Sequence, residues 1–238
     1  MRMKMKRFFG ILLGLALVLG LLPGMSVTAY AGSDPVLWVG DTQVVGGETP
    51  TTSGTGWSYD ADTQILTLSG ATINGVATEE RIDAAIYAEN MNLTIDVTGD
   101  STVTGPNGDF SASAGIYVKW GHLTITGNKK WTAKGGTAGD SYGVYAYGNV
   151  TVNGTLEATG GVAKASRGVH ANNVTVDGTL EATGGEAEYS YGVYATGNVT
   201  VSGTLEATGG EANGEILQGN LKAAASMRTM SPSTAPAP

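Results

Sequence analysis

Tyr142–Ser166 reads YGVYAYGNVTVNGTLEATGGVAKAS, Arg167–Ser190 reads RGVHANNVTVDGTLEATGGEAEYS, and Tyr191–Glu215 reads YGVYATGNVTVSGTLEATGGEANGE. These three copies of 25, 24 and 25 residues follow one another without a spacer. A fixed period in this range is the mark of a stacked-repeat architecture. Within each copy three short runs alternate apolar and polar residues, in the first copy Gly143–Ala146, Val150–Val152 and Thr155–Thr159. Such runs, rich in Val, Thr, Tyr and Leu and bounded by turn residues, read as strands. Asn153–Gly154 separates the second and third runs, and Gly160–Gly161 follows the third, with equivalents in the other copies. Three strands and three bends per copy make one coil of a parallel β-helix, in which like residues of successive coils stack about 4.8 Å apart. The competing architectures are an antiparallel sandwich and a propeller. Propeller blades run longer, at about 40 residues or more, and near-identical ladders suit parallel stacking better.

Looser copies lie upstream at Ala85–Ala114 and Gly115–Ser141, with a partial one at Ile65–Ile73. The reading is therefore an all-β, single-stranded parallel β-helix of about five to six coils over residues 65–221. Val144, Ala146, Val150, Val152, Leu156 and Ala158 point inward; Tyr145, Thr151, Glu157 and Thr159 point outward. Residues 32–64 form an N-terminal β cap that covers the open strand edges, with Trp38 and Trp57 as its apolar plugs. Leu217 and Leu221 cap the last coil, and residues 222–238, rich in Ala, Ser, Thr, Pro and Met, form a disordered tail.

Residues 1–31 read as a secretory signal peptide. Arg2, Lys4, Lys6 and Arg7 make a basic start, Phe8–Leu22 is apolar, and Ala29-Tyr30-Ala31 fits a cleavage site. The apolar run is short for a membrane span of about 20 residues. After cleavage nine of the 13 Lys and Arg remain against 21 Asp and Glu, a mature charge of −12. A secreted, acidic chain without cysteine suits a bacterial surface or extracellular setting. The absence of cysteine excludes a disulfide scaffold and a thiol nucleophile. The formal charge of −8 on the whole chain argues against nucleic acid.

The segments LWVGDTQV (Leu37–Val44), GWSYD (Gly56–Asp60) with LTLSGA (Leu66–Ala71), IYAE (Ile86–Glu89) with LTI and VTGD, and the repeated GVYA, GNVTV and GTLEATGG resemble a known group. This is the group of secreted β-helix proteins of Gram-positive gut and cellulolytic bacteria described as carbohydrate-binding domain-containing. The resemblance runs from about Val36 to Gly214. It implies a right-handed, pectate-lyase-like helix, binding of cellulose-like or acidic plant polysaccharides, and calcium. No calcium ligand maps onto a motif of this chain.

Three ladders are candidate sites. Tyr87, Tyr117, Tyr145, His170 and Tyr194 share one strand position, with Ile86, Ile116, Val144, Val169 and Val193 taking the inward role beside them. An exposed row of flat rings at coil spacing is a platform for a polysaccharide or cell-wall glycan. The alternative is cross-strand ring pairing that only stabilises the sheet. Glu157, Glu181 and Glu206 recur in TLEATGG. Their repulsion calls for an offset, either a bound cation such as calcium or splaying into solvent. Asn92, His122, Asn149, Asn173 and Asn198 form a polar ladder at a turn, read as structural.

Catalytic chemistry has little to stand on. Arg167, where Tyr142 and Tyr191 stand in neighbouring copies, is the one candidate base of a lyase, and Glu79, Glu80 and Asp83 beside Arg81 read as a solvated loop. The chain is thus read as a non-catalytic polysaccharide binder. A structural or adhesive surface protein is the runner-up, and a polysaccharide lyase or hydrolase ranks last.

Overall fold

The computed structural model describes residues 34–48, 51–76 and 83–210. Residues 1–31, expected to be a signal peptide, and Glu79, Glu80, Arg81, Leu217, Leu221 and residues 222–238 lie outside the described residues. No helix occurs among the described residues, and the architecture is a parallel β-solenoid of about six turns.

The chain enters through an antiparallel cap of β1 (Val36–Val39), β2 (Thr42–Val45), β3 (Ser53–Gly54) and β4 (Trp57–Asp60). The first turn is partial, with β5 (Ile65–Ser69) and β6 (Thr72–Asn74). Five full coils follow. They are β7 (Asp83–Glu89), β8 (Leu93–Gly99) and β9 (Ser101–Thr104), then β10 (Ala112–Lys119), β11 (Leu123–Gly127) and β12 (Lys130–Lys134). The three copies supply β13 (Asp140–Ala146), β14 (Val150–Val152) and β15 (Thr155–Thr159), β16 (Ala163–Ala171), β17 (Val174–Val176) and β18 (Thr179–Thr183), and β19 (Ala187–Ala195), β20 (Val199–Val201) and β21 (Thr204–Thr208).

Every third strand pairs in parallel with its equivalent, which yields three sheets. The first runs β19-β16-β13-β10-β7 and ends on β1 and β2, the second runs β20-β17-β14-β11-β8-β5-β4-β3, and the third runs β21-β18-β15-β12-β9-β6. The register is the one the repeat dictates: Val144 faces Val169, which faces Val193. Val152 aligns with Val176, and Leu156 with Leu180. Val144, Val150, Val152, Leu156 and Ala158 have no exposed surface. Each such Val or Leu contributes about 1.5–3 kcal/mol by leaving water. Val193, on the end strand of its sheet, is only partly buried.

Two expectations about the cap and the first coil change. Trp57 joins the main core, whereas Trp38 lies on the opposite face of β1, aligned with Tyr87 and packed against its cluster. Strand alternation turns Leu37 and Val39 inward and leaves Trp38 outside, so the plug is Leu37 and Val39. Asp83 is not in a solvated loop. It opens β7, is buried, and aligns with Ser113.

Candidate functional site

The first sheet carries a second apolar layer on its outer face, built on Ala84, Tyr87, Ala112, Ala114, Tyr117 and Tyr142, with Val36, Trp38 and Tyr145 against it. Two rows of side chains share this face. Gly143 explains why: a Cβ there would meet the Thr159 amide nitrogen at 2.6 Å and the Gly168 carbonyl oxygen at 2.7 Å. The glycine takes an inward step that no side chain could take, so Tyr142 and Tyr145, three residues apart, stand together with ring centroids 4.7 Å apart.

The ring row aligns strand by strand as expected, Tyr87 with Tyr117, Tyr145, His170 and Tyr194. It is not an exposed platform along its whole length. Tyr87 and Tyr117 are 7% and 4% exposed, Tyr145 and His170 are half-buried, and Tyr194 is 39% exposed. The physical reason is crowding. Tyr117 is flanked by Tyr87 at 5.5 Å, Tyr145 at 5.1 Å and Tyr147 at 5.9 Å. Burial raises the hydroxyl pKa of Tyr117 and Tyr145, and pushes Tyr142 up to about 12. The Tyr87 hydroxyl donates to Glu89, which also pairs with Lys119 at 2.9 Å.

The accessible rings follow a different path, and two of them escaped the sequence reading. Trp120 and Tyr147, 49% and 39% exposed, meet edge-to-face at 4.8 Å in the turn between the first and second sheets. From Tyr147 the path continues to Tyr145 at 5.2 Å, His170 at 4.7 Å and Tyr194 at 5.0 Å. Trp120 has a left-handed backbone, with φ of 59°. In the preceding coil the same turn position is Asn90, with φ of 55°. Asparagine tolerates that conformation, whereas for a bulky ring it is an outlier. A sequence signal existed: aromatic residues at turn positions where other copies carry Asn, Gly or Thr.

Beside this corner runs the polar ladder. The Asn92 side-chain oxygen accepts the His122 amide at 3.0 Å, His122 Nδ1 accepts the Asn149 amide at 2.9 Å, and Asn173 Nδ2 donates to the Asn149 side-chain oxygen at 2.8 Å. Asn173 in turn accepts the Asn198 amide at 2.7 Å. The ladder ties turn to turn, and it leaves His122 exposed with Nδ1 already engaged.

Arg167 replaces the tyrosine of its row. Its guanidinium carbon lies 5.3 Å from the Tyr142 ring centroid and 5.1 Å from that of Tyr194. Nη1 donates to the Tyr142 hydroxyl at 3.1 Å, and that hydroxyl reaches Asp140 at 3.3 Å. Arg167 Nε and His170 Nδ1 are buried without a hydrogen-bond partner.

Glu157, Glu181 and Glu206 stack in register on the third sheet. For Glu157 and Glu181 the offset to repulsion is a lysine. Lys130, at the head of the neighbouring column, reaches Glu157 at 2.7 Å and Glu181 at 3.9 Å. The hydrogen bond and charge of Glu157 hold its ammonium above the usual lysine range. Calcium takes six to eight oxygens, and no three His, Cys, Asp or Glu side chains among the described residues converge on such a point.

Comparison of the chain with protein-family models, with curated proteins and with solved structures finds no match.

Proposed function

We propose that this chain is a secreted bacterial surface or extracellular protein that holds a polysaccharide, without converting it, on the rings from Trp120 to Tyr194. The observation that carries the reading is Trp120. A strained backbone costs about 1–3 kcal/mol, and a half-exposed indole recovers little of it by burial. Such outliers gather at binding sites, where a ligand uses the side chain. The rings that continue the path succeed one another at 4.7 to 5.2 Å, close to the length of one sugar in an extended glycan. The exposed His122 beside them offers a polar group of the kind that orients hydroxyls.

The test is retention of the mature chain on a panel of insoluble and soluble polysaccharides. Wild type should be retarded by at least one of them, and Trp120→Ala with Tyr147→Ala should lose the retardation while its far-ultraviolet circular dichroism is unchanged. If the wild type binds none, the structural or adhesive reading takes its place.

A further inference from the structure

His170 is the one non-tyrosine in its row of five, and its surroundings differ from those of every other ring in that row. It stacks flat on Tyr145, with planes 7° apart, and meets Tyr194 edge-on at 89°. Tyr142 lies 5.7 Å away. The charged and titratable groups around it come from three strands. β13 supplies Tyr142, Tyr145 and Asp140, β16 supplies Arg167, and β19 supplies Tyr191 and Tyr194. Asp140 is the carboxylate of this group, and it is engaged with the Tyr142 hydroxyl. Arg167 reaches Asp140 only through the Tyr142 hydroxyl, and Arg167 Nε and His170 Nδ1 are buried without a hydrogen-bond partner. The neutral imidazole therefore fits this place, and the imidazolium does not.

We infer that acid opens the ring path at its centre. Protonating His170 sets a second cation beside Arg167, while the carboxylate of the group, Asp140, is engaged with the Tyr142 hydroxyl, and the repulsion between the two cations pushes His170 out from between Tyr145 and Tyr194. The loss of polysaccharide in acid rests on the proposed function; the opening itself does not.

Burial first, and then the Arg167 charge, lower the His170 pKa from 6.5 to about 4. A folded-state pKa below the unfolded one means that stability is complete above pH 6.5 and declines as pH falls through about 4. The protein thus keeps an intact path at neutral pH and gives it up only in strong acid.

The experiment follows the side-chain resonances of His170 and the near-ultraviolet circular dichroism of the mature chain from pH 7 to pH 3 at fixed ionic strength, without ligand. The expected result is a His170 midpoint near 4, accompanied by a fall in the tyrosine ring signal. His170→Tyr restores the residue of the other coils and should abolish the fall. Arg167→Met should move the His170 midpoint upward. The inference is overturned if His170 titrates near 6.5, or if the ring signal falls equally in His170→Tyr, which would assign the change to carboxylates. Retention on a polysaccharide at pH 6 and pH 3.5 is measured separately. A wild type that never binds removes the proposed function and leaves the ring measurement standing.

Discussion

The Ser166 hydroxyl accepts the Gly185 amide of the next coil at 2.9 Å and donates to the Gly161 carbonyl at 2.9 Å. Ser113, Ser141 and Ser190 repeat this clasp with Gly136, Gly161 and Gly210. Three of these serines, Ser113, Ser141 and Ser166, are fully buried, so the clasp meets backbone groups that water cannot reach. It also explains the paired glycines of TLEATGG. A Cβ on Gly160 would collide with the Ser166 oxygen and lie 2.8 Å from the Arg167 amide nitrogen.

Gly160→Ala should therefore destabilise the array by about 1–3 kcal/mol, the usual cost of forcing atoms into a packed interior. Equilibrium denaturation measures it. An unchanged midpoint would show that this turn is looser than described.

Val152→Asp should fail to fold or open locally, because it buries an unpaired carboxylate among Val176 and Ile125. Thr151→Asp, one residue over and half-buried on the outer face, should lose far less. Thermal melts of the two variants decide the matter, and equal losses would contradict the facing.

Trp120→Asn should cost no stability while weakening glycan retention. It removes the edge contact with Tyr147, worth about 0.5–1.5 kcal/mol, and relieves a left-handed strain of about 1–2 kcal/mol. These two nearly cancel. The check is a melting curve alongside a retention assay, and a large drop in Tm would make the indole structural.

Lys130→Ala should lower Tm slightly at low salt and not at high salt, since the pair it makes is exposed. Calcium added to the variant should not restore Tm if the glutamate column lacks the geometry of a cation site. Restoration at low calcium concentration would revive the cation.

Much of this protein was legible in the sequence. The repeat sets the coil, and the alternation in VTV and TLEAT sets the facing. Identical residues then have to stack, because a one-residue slip would turn Val150 and Val152 outward. Even the columns Thr151–Thr175–Thr200 and Glu157–Glu181–Glu206 follow from counting. Crowding does not follow from counting. Register placed Tyr117 in an outward row, but only the packing of Tyr87, Tyr145 and Tyr147 around it takes it out of solvent. The side on which Trp38 lands depends on β1 running antiparallel to β7, a pairing between segments about fifty residues apart. The neutraliser of Glu157 is Lys130 of the preceding coil, which differs in sequence from the clean copies. Local periodicity is a property of one strand and its φ, ψ pattern, so the sequence alone determined the solenoid. Exposure, charge pairing and the strain at Trp120 are properties of neighbours brought together across coils, so they were decided only when the coils were stacked.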